Sequence, residues 1–191
     1  MSDMKPLITI FFALMILLGC EPAPEDLLVN HFVIEEGEHY ASPRLAETLQ
    51  SSRLIFEATF DATSWYVFED RRFQDSKNKL LGFSDCNSTH HENSARFAWQ
   101  WYNNRLEIYA YCYVNGERLE KFVGTVEQYE TNRYEIEVRR DQYVFRLGKE
   151  RQVVMPRGNT CDKGLYYMLW PYFGGTLPAP HDVHIAISIK R

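Results

Sequence analysis

Residues 94–126 read SARFAWQWYNNRLEIYAYCYVNGERLEKFVGTV, three alternating runs with a turn between each. Apolar and polar residues alternate through 94–102, 105–114 and 118–126, the period of a half-buried strand. Tyr102-Asn103-Asn104-Arg105 separates the first two runs and Asn115-Gly116 the last two. Asn-Gly is a strong hairpin signal because both residues accept a positive φ. A turn centred on Asn103–Asn104 sets Trp101 opposite Leu106, Trp99 opposite Ile108, Phe97 opposite Ala110 and Ala95 opposite Cys112. Those side chains form one core face. The other face then carries Ser94, Arg96, Ala98 and Gln100 against Tyr113, Tyr111, Tyr109 and Glu107. The second turn adds Arg118 beside Tyr113, Glu120 beside Tyr111 and Phe122 beside Tyr109. It also lands Lys121 on the apolar face, so a bulge or slip is expected within the third strand.

Outward from this meander the same period recurs at 53–60, 64–69, 133–139, 142–148, 164–170 and 182–190. The pattern predicts an all-β, antiparallel sandwich with at most one short helix. That helix is expected after Ser42, with Pro43 at its first position and Leu45, Ala46 and Leu49 on one face. The chain has 191 residues, 45% hydrophobic and 15% aromatic, which suits one domain with a substantial core. Such a composition excludes a disordered chain. A net charge of −5 argues against a nucleic-acid binder.

Leu7 to Leu18 is an apolar run of about 12 residues, the length of a signal-peptide core and too short to span a bilayer as a helix. It ends in Leu17-Leu18-Gly19-Cys20, which resembles the lipobox of bacterial lipoproteins. An ordinary secretory signal containing a cysteine is the alternative. The resemblance implies a signal peptide over 1–19 and an acylated Cys20 followed by a tether to residue 30. The sandwich domain then covers 31–191, anchored in the bacterial cell envelope by its lipid. Each buried CH₂ of an acyl chain contributes ~0.8 kcal/mol, so several chains hold where one does not.

Cys86, Cys112 and Cys161 remain in an oxidising compartment, where one bridge and one thiol are expected. Three pairings are open. Cys86 and Cys161 sit in loop compositions while Cys112 sits mid-strand on the apolar face, which favours Cys86–Cys161. The cysteine spacings fit no zinc motif. His181 and His184 are three apart at the start of a strand and point to opposite faces. No metal and no cofactor are expected.

The segment Ile108–Arg118, with its Tyr113-Val114-Asn115-Gly116 turn, resembles the hairpins of concanavalin A-like, laminarinase-type jelly rolls. Tyr172-Phe173-Gly174-Gly175 and the strand after it resemble the closing segment of polysaccharide-lyase jelly rolls. These resemblances imply a double-sheet jelly roll with a concave glycan-binding face. The Glu-x-Asp-x-x-Glu strand motif of the retaining glycosidases is missing. Glu135 and Glu137 share a strand face but run into Arg139 and Arg140, which reads as a charged solvent face, so hydrolysis by paired carboxylates is disfavoured.

The expected binding set is Arg96, Gln100, Glu107, Tyr109, Tyr111, Tyr113 and Arg118, with His90 and His91 from the nearby loop. Flat rings stack on sugar faces, and Arg, Gln and Glu bond hydroxyls; Tyr111 is expected to be half-exposed. Two rival functions fit the same face. A lyase would use Tyr and His for proton transfer and Arg and Gln to neutralise a uronate carboxylate, although the Arg-x-Glu-x-Arg and Gln-Ile-His strings of such lyases are absent. An assembly lipoprotein would instead present the aromatic face to another envelope protein.

Overall fold

The computed structural model describes residues 29–158, 161 and 164–190. The signal segment, Cys20 and the tether up to residue 28 therefore lie outside the described residues. Among the described residues, twelve strands make two antiparallel six-stranded sheets. The first, in spatial order, contains β1 (Val29–Ile34), β12 (Val183–Lys190), β3 (Arg53–Phe60), β8 (Asn132–Val138), β9 (Gln142–Leu147) and β10 (Arg151–Pro156). The second contains β2 (Thr48–Leu49), β11 (Tyr166–Leu169), β4 (Asn78–Ser84), β5 (Ser94–Tyr102), β6 (Arg105–Val114) and β7 (Glu117–Val126).

The central meander has the register expected from its two turns. Trp99 pairs with Ile108, Phe97 with Ala110 and Arg96 with Tyr111. Tyr113 pairs with Arg118 and Tyr111 with Glu120. Asn103, Asn104, Asn115 and Gly116 all have positive φ, the backbone of the hairpin turns whose twist matches the flanking strands. The bulge is present too. Ile108 faces Gly124 while Tyr109 faces Phe122, so Val123 is the extra residue. It turns Val123 and Val126 inward and leaves Lys121 exposed on the outermost strand of its sheet.

The core lies between the sheets and is largely aromatic. Phe97 meets Phe56, Tyr134 and Phe145 edge-on across the sandwich at 5.0–6.0 Å. Trp99 packs 5.2 Å from Phe60. Such geometry is the favoured packing of ring quadrupoles.

Two local expectations are corrected. Residues 43–50 form no helix, because long-range partners take the groups a helix would use. Ser42 exchanges both backbone hydrogen bonds with Val33, and Thr48–Leu49 pair with Tyr167 and Tyr166. Ser42 is thus a bridge residue, and Leu45 and Leu49 pack against the core without helical periodicity. The run 64–69 alternates in burial but has no strand partner. A 3₁₀ turn at Ala62–Ser64, capped by Asp61, begins it, and Gln74 holds the Phe68 N–H and the Tyr66 carbonyl. No α-helix occurs among the described residues.

Cys86 and Cys161 form the disulfide, and Cys112 is a buried free thiol, as the loop and strand contexts indicated. Beside the bridge, Asp85 accepts two bonds from Arg157, at 2.7 and 3.0 Å, and one from the Tyr143 hydroxyl. Together these ties fix the β4–β5 loop, which carries His90 and His91.

Candidate functional site

The face of β4–β6 turned away from the core is covered at one end by residues 40–45 and 168–175. Between them lies a cavity of about 500 Å³, the size of a small-ligand site. β5 and β6 supply Arg96, Tyr111 and Tyr113; β4 supplies Lys79; the β4–β5 loop supplies His90 and His91. The covering segments add Tyr40, Arg44, Trp170 and Tyr172. No aspartate or glutamate lines it among the described residues.

Arg96 is the decisive residue. It is only 7% exposed, and no carboxylate pairs with it among the described residues. Its Nε finds no acceptor, and its guanidinium lies 5.5 Å from the centre of the Tyr111 ring. Gly82 makes room for it. A Cβ there would fall 2.1 Å from the Ala95 carbonyl oxygen and 2.6 Å from Arg96 Cγ. Trp170 is a second buried donor at this cavity, with Nε1 also unpaired while its ring stacks on Phe32. Arginine and tryptophan side chains donate and cannot accept. A buried cation without a counter-charge is costly unless something brings one.

The tyrosines and histidines share this environment. Burial and the neighbouring Tyr113 push the Tyr111 hydroxyl up to about 12, so it stays protonated near neutrality. Burial, then His91 and Arg96, hold His90 below its ordinary value. The His91 and Tyr113 rings are 5.2 Å apart. Tyr111 is 4% exposed, not half-exposed as expected, because the covering segments add a second layer over the sheet.

The expected set therefore divides. Arg96, Tyr111, Tyr113, His90 and His91 come together at the cavity. Gln100, Glu107 and Tyr109 lie further along the strands in a closed network. Tyr109 donates to Glu107 at 2.7 Å, Gln100 donates to Glu107 at 2.9 Å, and Arg105 pairs with the other carboxylate oxygen. Burial works against the Glu107 charge, but these donors outweigh it and hold the carboxyl below its usual range. Arg118 pairs with Glu120 at 3.3 Å outside the cavity lining. Sequence reasoning missed Lys79, Trp170, Tyr172, Tyr40 and Arg44. Only the Tyr172-Phe173-Gly174-Gly175 string flagged that region.

Among the described residues, other depressions lie at the β5–β6 turn and beside Glu35 and Asp182. Neither is lined by a buried, unpaired charge.

No protein-family model and no curated protein sequence matches the chain. Solved structures do match in shape. An alginate lyase from Klebsiella pneumoniae superposes with a TM-score of 0.55 at 11% identity, over 72% of this chain and 58% of that one. The chain thus spans little more than half of that lyase. The laminarinase catalytic domain from Thermotoga maritima gives 0.54 at 10% identity, over 84% and 77% of the two chains. A mixed-linkage glucan GH16 protein from Bacteroides ovatus gives 0.55 at 9%, over 85% and 81%. At such identities the likeness establishes the fold, a jelly-roll β-sandwich.

Proposed function

We propose that the protein is a lipid-anchored envelope protein that binds an acidic glycan in this cavity. The observation that carries the reading is Arg96, a buried guanidinium facing a cavity with no carboxylate among the described residues that line it. A uronate carboxylate would complete it with a charge-assisted, bidentate pair. Tyr113, half-buried at the cavity wall, offers a ring for stacking on the sugar. A neutral glucan would displace water from Arg96 without supplying a counter-charge, so the site discriminates by charge. The neighbours contribute the sandwich and nothing finer.

Calorimetric titration of the form lacking residues 1–20 with oligogalacturonate, oligomannuronate and laminari-oligosaccharides tests this reading. Binding of an acidic oligosaccharide and none of the neutral one is expected. Arg96→Gln should weaken acidic binding at least ~30-fold, the range for removing one partner of a buried charge pair. Equal affinity for the neutral oligosaccharide, or unchanged binding by Arg96→Gln, overturns it.

A second reading, eliminative cleavage of the glycan, is favoured by His91 and Tyr113 lining the cavity beside Arg96. Neutralising the carboxylate makes the adjacent C–H more acidic; an imidazole takes that proton, the C–H electron pair forms the C=C bond, the glycosidic C–O bond breaks, and a tyrosine hydroxyl protonates the leaving oxygen. The same titrations, followed by the absorbance of unsaturated uronate, separate the two: absorbance that rises with time marks a lyase.

The anchor is tested on its own. Cys20→Ser should abolish fatty-acid labelling and membrane partitioning, because the thiol is the acyl acceptor. A serine variant that stays acylated sinks the lipobox reading.

A further inference from the structure

Besides Arg96 and the exposed Arg44, which lies over the Tyr40 ring, the cavity is lined by a further cation that the reading above does not use, Lys79. Lys77 and Lys79 lie two residues apart at the start of β4, and their surroundings differ. Lys77 is compensated: its Nζ is 2.7 Å from Asp75, 3.7 Å from Glu120 and 4.5 Å above the Tyr109 ring. Lys79 has no carboxylate within ion-pair distance among the described residues. Its Nζ donates to the Lys77 carbonyl at 2.7 Å and lies 4.8 Å from the centre of the Tyr111 ring and 5.8 Å from that of Tyr172. The covering loop presses on it closely. A Cβ at Gly174 would fall 2.6 Å from this amine and 2.0 Å from the Lys77 carbonyl oxygen. An ammonium has three donors, and one is used here. Lys79 and Arg96 flank the same Tyr111 ring and line the same cavity.

We infer that Lys79 is a second anion contact of this site, so that the cavity takes two acidic groups of one glycan chain, one on Arg96 and one on Lys79. The inference rests on the acidic-glycan reading and adds a requirement on the ligand: a single uronate fills half of the site. It also sets an upper pH limit. Arg96 faces the amine from β5, Tyr111 from β6, Arg118 and Glu120 from β7, Lys77 from its own strand, and Tyr172 from the covering loop. Burial, followed by the repulsion of Arg96, brings the ammonium down to about 8; Arg118 and Lys77 act in the same direction and Glu120 against them.

The sign follows from linkage. The anion binds the charged amine, so above pH 8 binding must first take up a proton. Affinity then falls up to about tenfold per pH unit.

The dissociation constant of tetragalacturonate, measured from pH 6 to 9.5 on the form lacking residues 1–20, tests this. Between pH 7 and 9.5 the parent protein should lose about 7- to 30-fold in affinity, the larger loss if the uncharged amine contributes nothing. Lys79→Arg keeps its charge, so its profile should stay flat. Lys79→Met should bind at least ~10-fold more weakly at pH 7, with no alkaline fall. An alkaline loss retained in Lys79→Arg, or full affinity in Lys79→Met, overturns the inference.

Absence of tetragalacturonate binding by the parent protein at pH 7 defeats the acidic-glycan reading itself. Lys79 is then judged by pyridoxal 5′-phosphate with borohydride. The uncharged amine adds to the aldehyde, water leaves, and hydride reduces the imine to a stable secondary amine, with the phosphate held by Arg96. Peptide mapping should find Lys79 labelled ahead of the other lysines, and the label lost in Arg96→Gln. Labelling spread evenly over the lysines overturns the contact.

Discussion

Asp85→Ala should lower the unfolding free energy by about 3–5 kcal/mol, read from urea denaturation of the form lacking residues 1–20. The Asp85 side chain is 0% exposed and the Arg157 side chain 2%. Both carboxylate oxygens take an Arg157 N–H, and the Tyr143 hydroxyl adds a third bond. Arg157 also donates to the Arg139 and Cys161 carbonyls, so it ties three segments around one charge. Truncating the aspartate strands a guanidinium and a phenol away from water. Such a loss is a large share of the ~5–15 kcal/mol that holds a domain together. Arg157→Ala should not add to it, because either change removes the same pair. The double change Asp85→Leu/Arg157→Met should cost less than Asp85→Ala alone, since it leaves no buried charge. A loss under 1 kcal/mol for Asp85→Ala would mean that water reaches the pair. Asp85 also opens the loop that carries His90 and His91, so the variant should loosen the cavity rim as well.

What the sequence could disclose followed from the range of the interactions involved. The β5–β6–β7 register was legible because two short turns fix it locally, and register in turn assigns Arg96, Tyr111 and Tyr113 to one face. β4 was not legible. Its sequence NKLLGFS is buried on nearly every residue, so no alternation marks it. The covering loop that hides one side of it comes from residues about a hundred positions later. The same distance concealed Lys79, whose environment is set by Gly174, Tyr111 and Tyr172 rather than by its neighbours in sequence. The misplaced helix has the mirror-image cause. Ser42-Pro43 is a sound local start signal, and pairing with Val33 and with Tyr166–Tyr167 overrides it. Tyr111 looked half-exposed because a single strand reports only its own two faces, not the second layer laid over one of them.

Trp99→Ala is the other large effect, a loss of about 3–5 kcal/mol in the same denaturation measurement. Trp99 is fully buried, and Phe60, Tyr66 and Phe173 surround it at 5.2, 6.0 and 6.3 Å between ring centres. Its Nε1 has no partner, so Trp99→Phe keeps an aromatic ring and sheds an unsatisfied donor; it should cost distinctly less. Arg96 sits three residues away on the opposite face of the same strand, and Arg96→Gln should behave in the opposite way. It removes an unpaired buried charge and should leave stability within about 1 kcal/mol or raise it, while ligand binding collapses. Tyr111→Ala cannot make this distinction, because a ring only 4% exposed carries both packing and site. Tyr113, half-buried at the cavity wall, serves instead: its truncation should weaken binding with little loss of stability. Arg96→Gln destabilising the protein as severely as Trp99→Ala would make the guanidinium a structural element, and the outer face of β5 would then be a second core rather than a binding site.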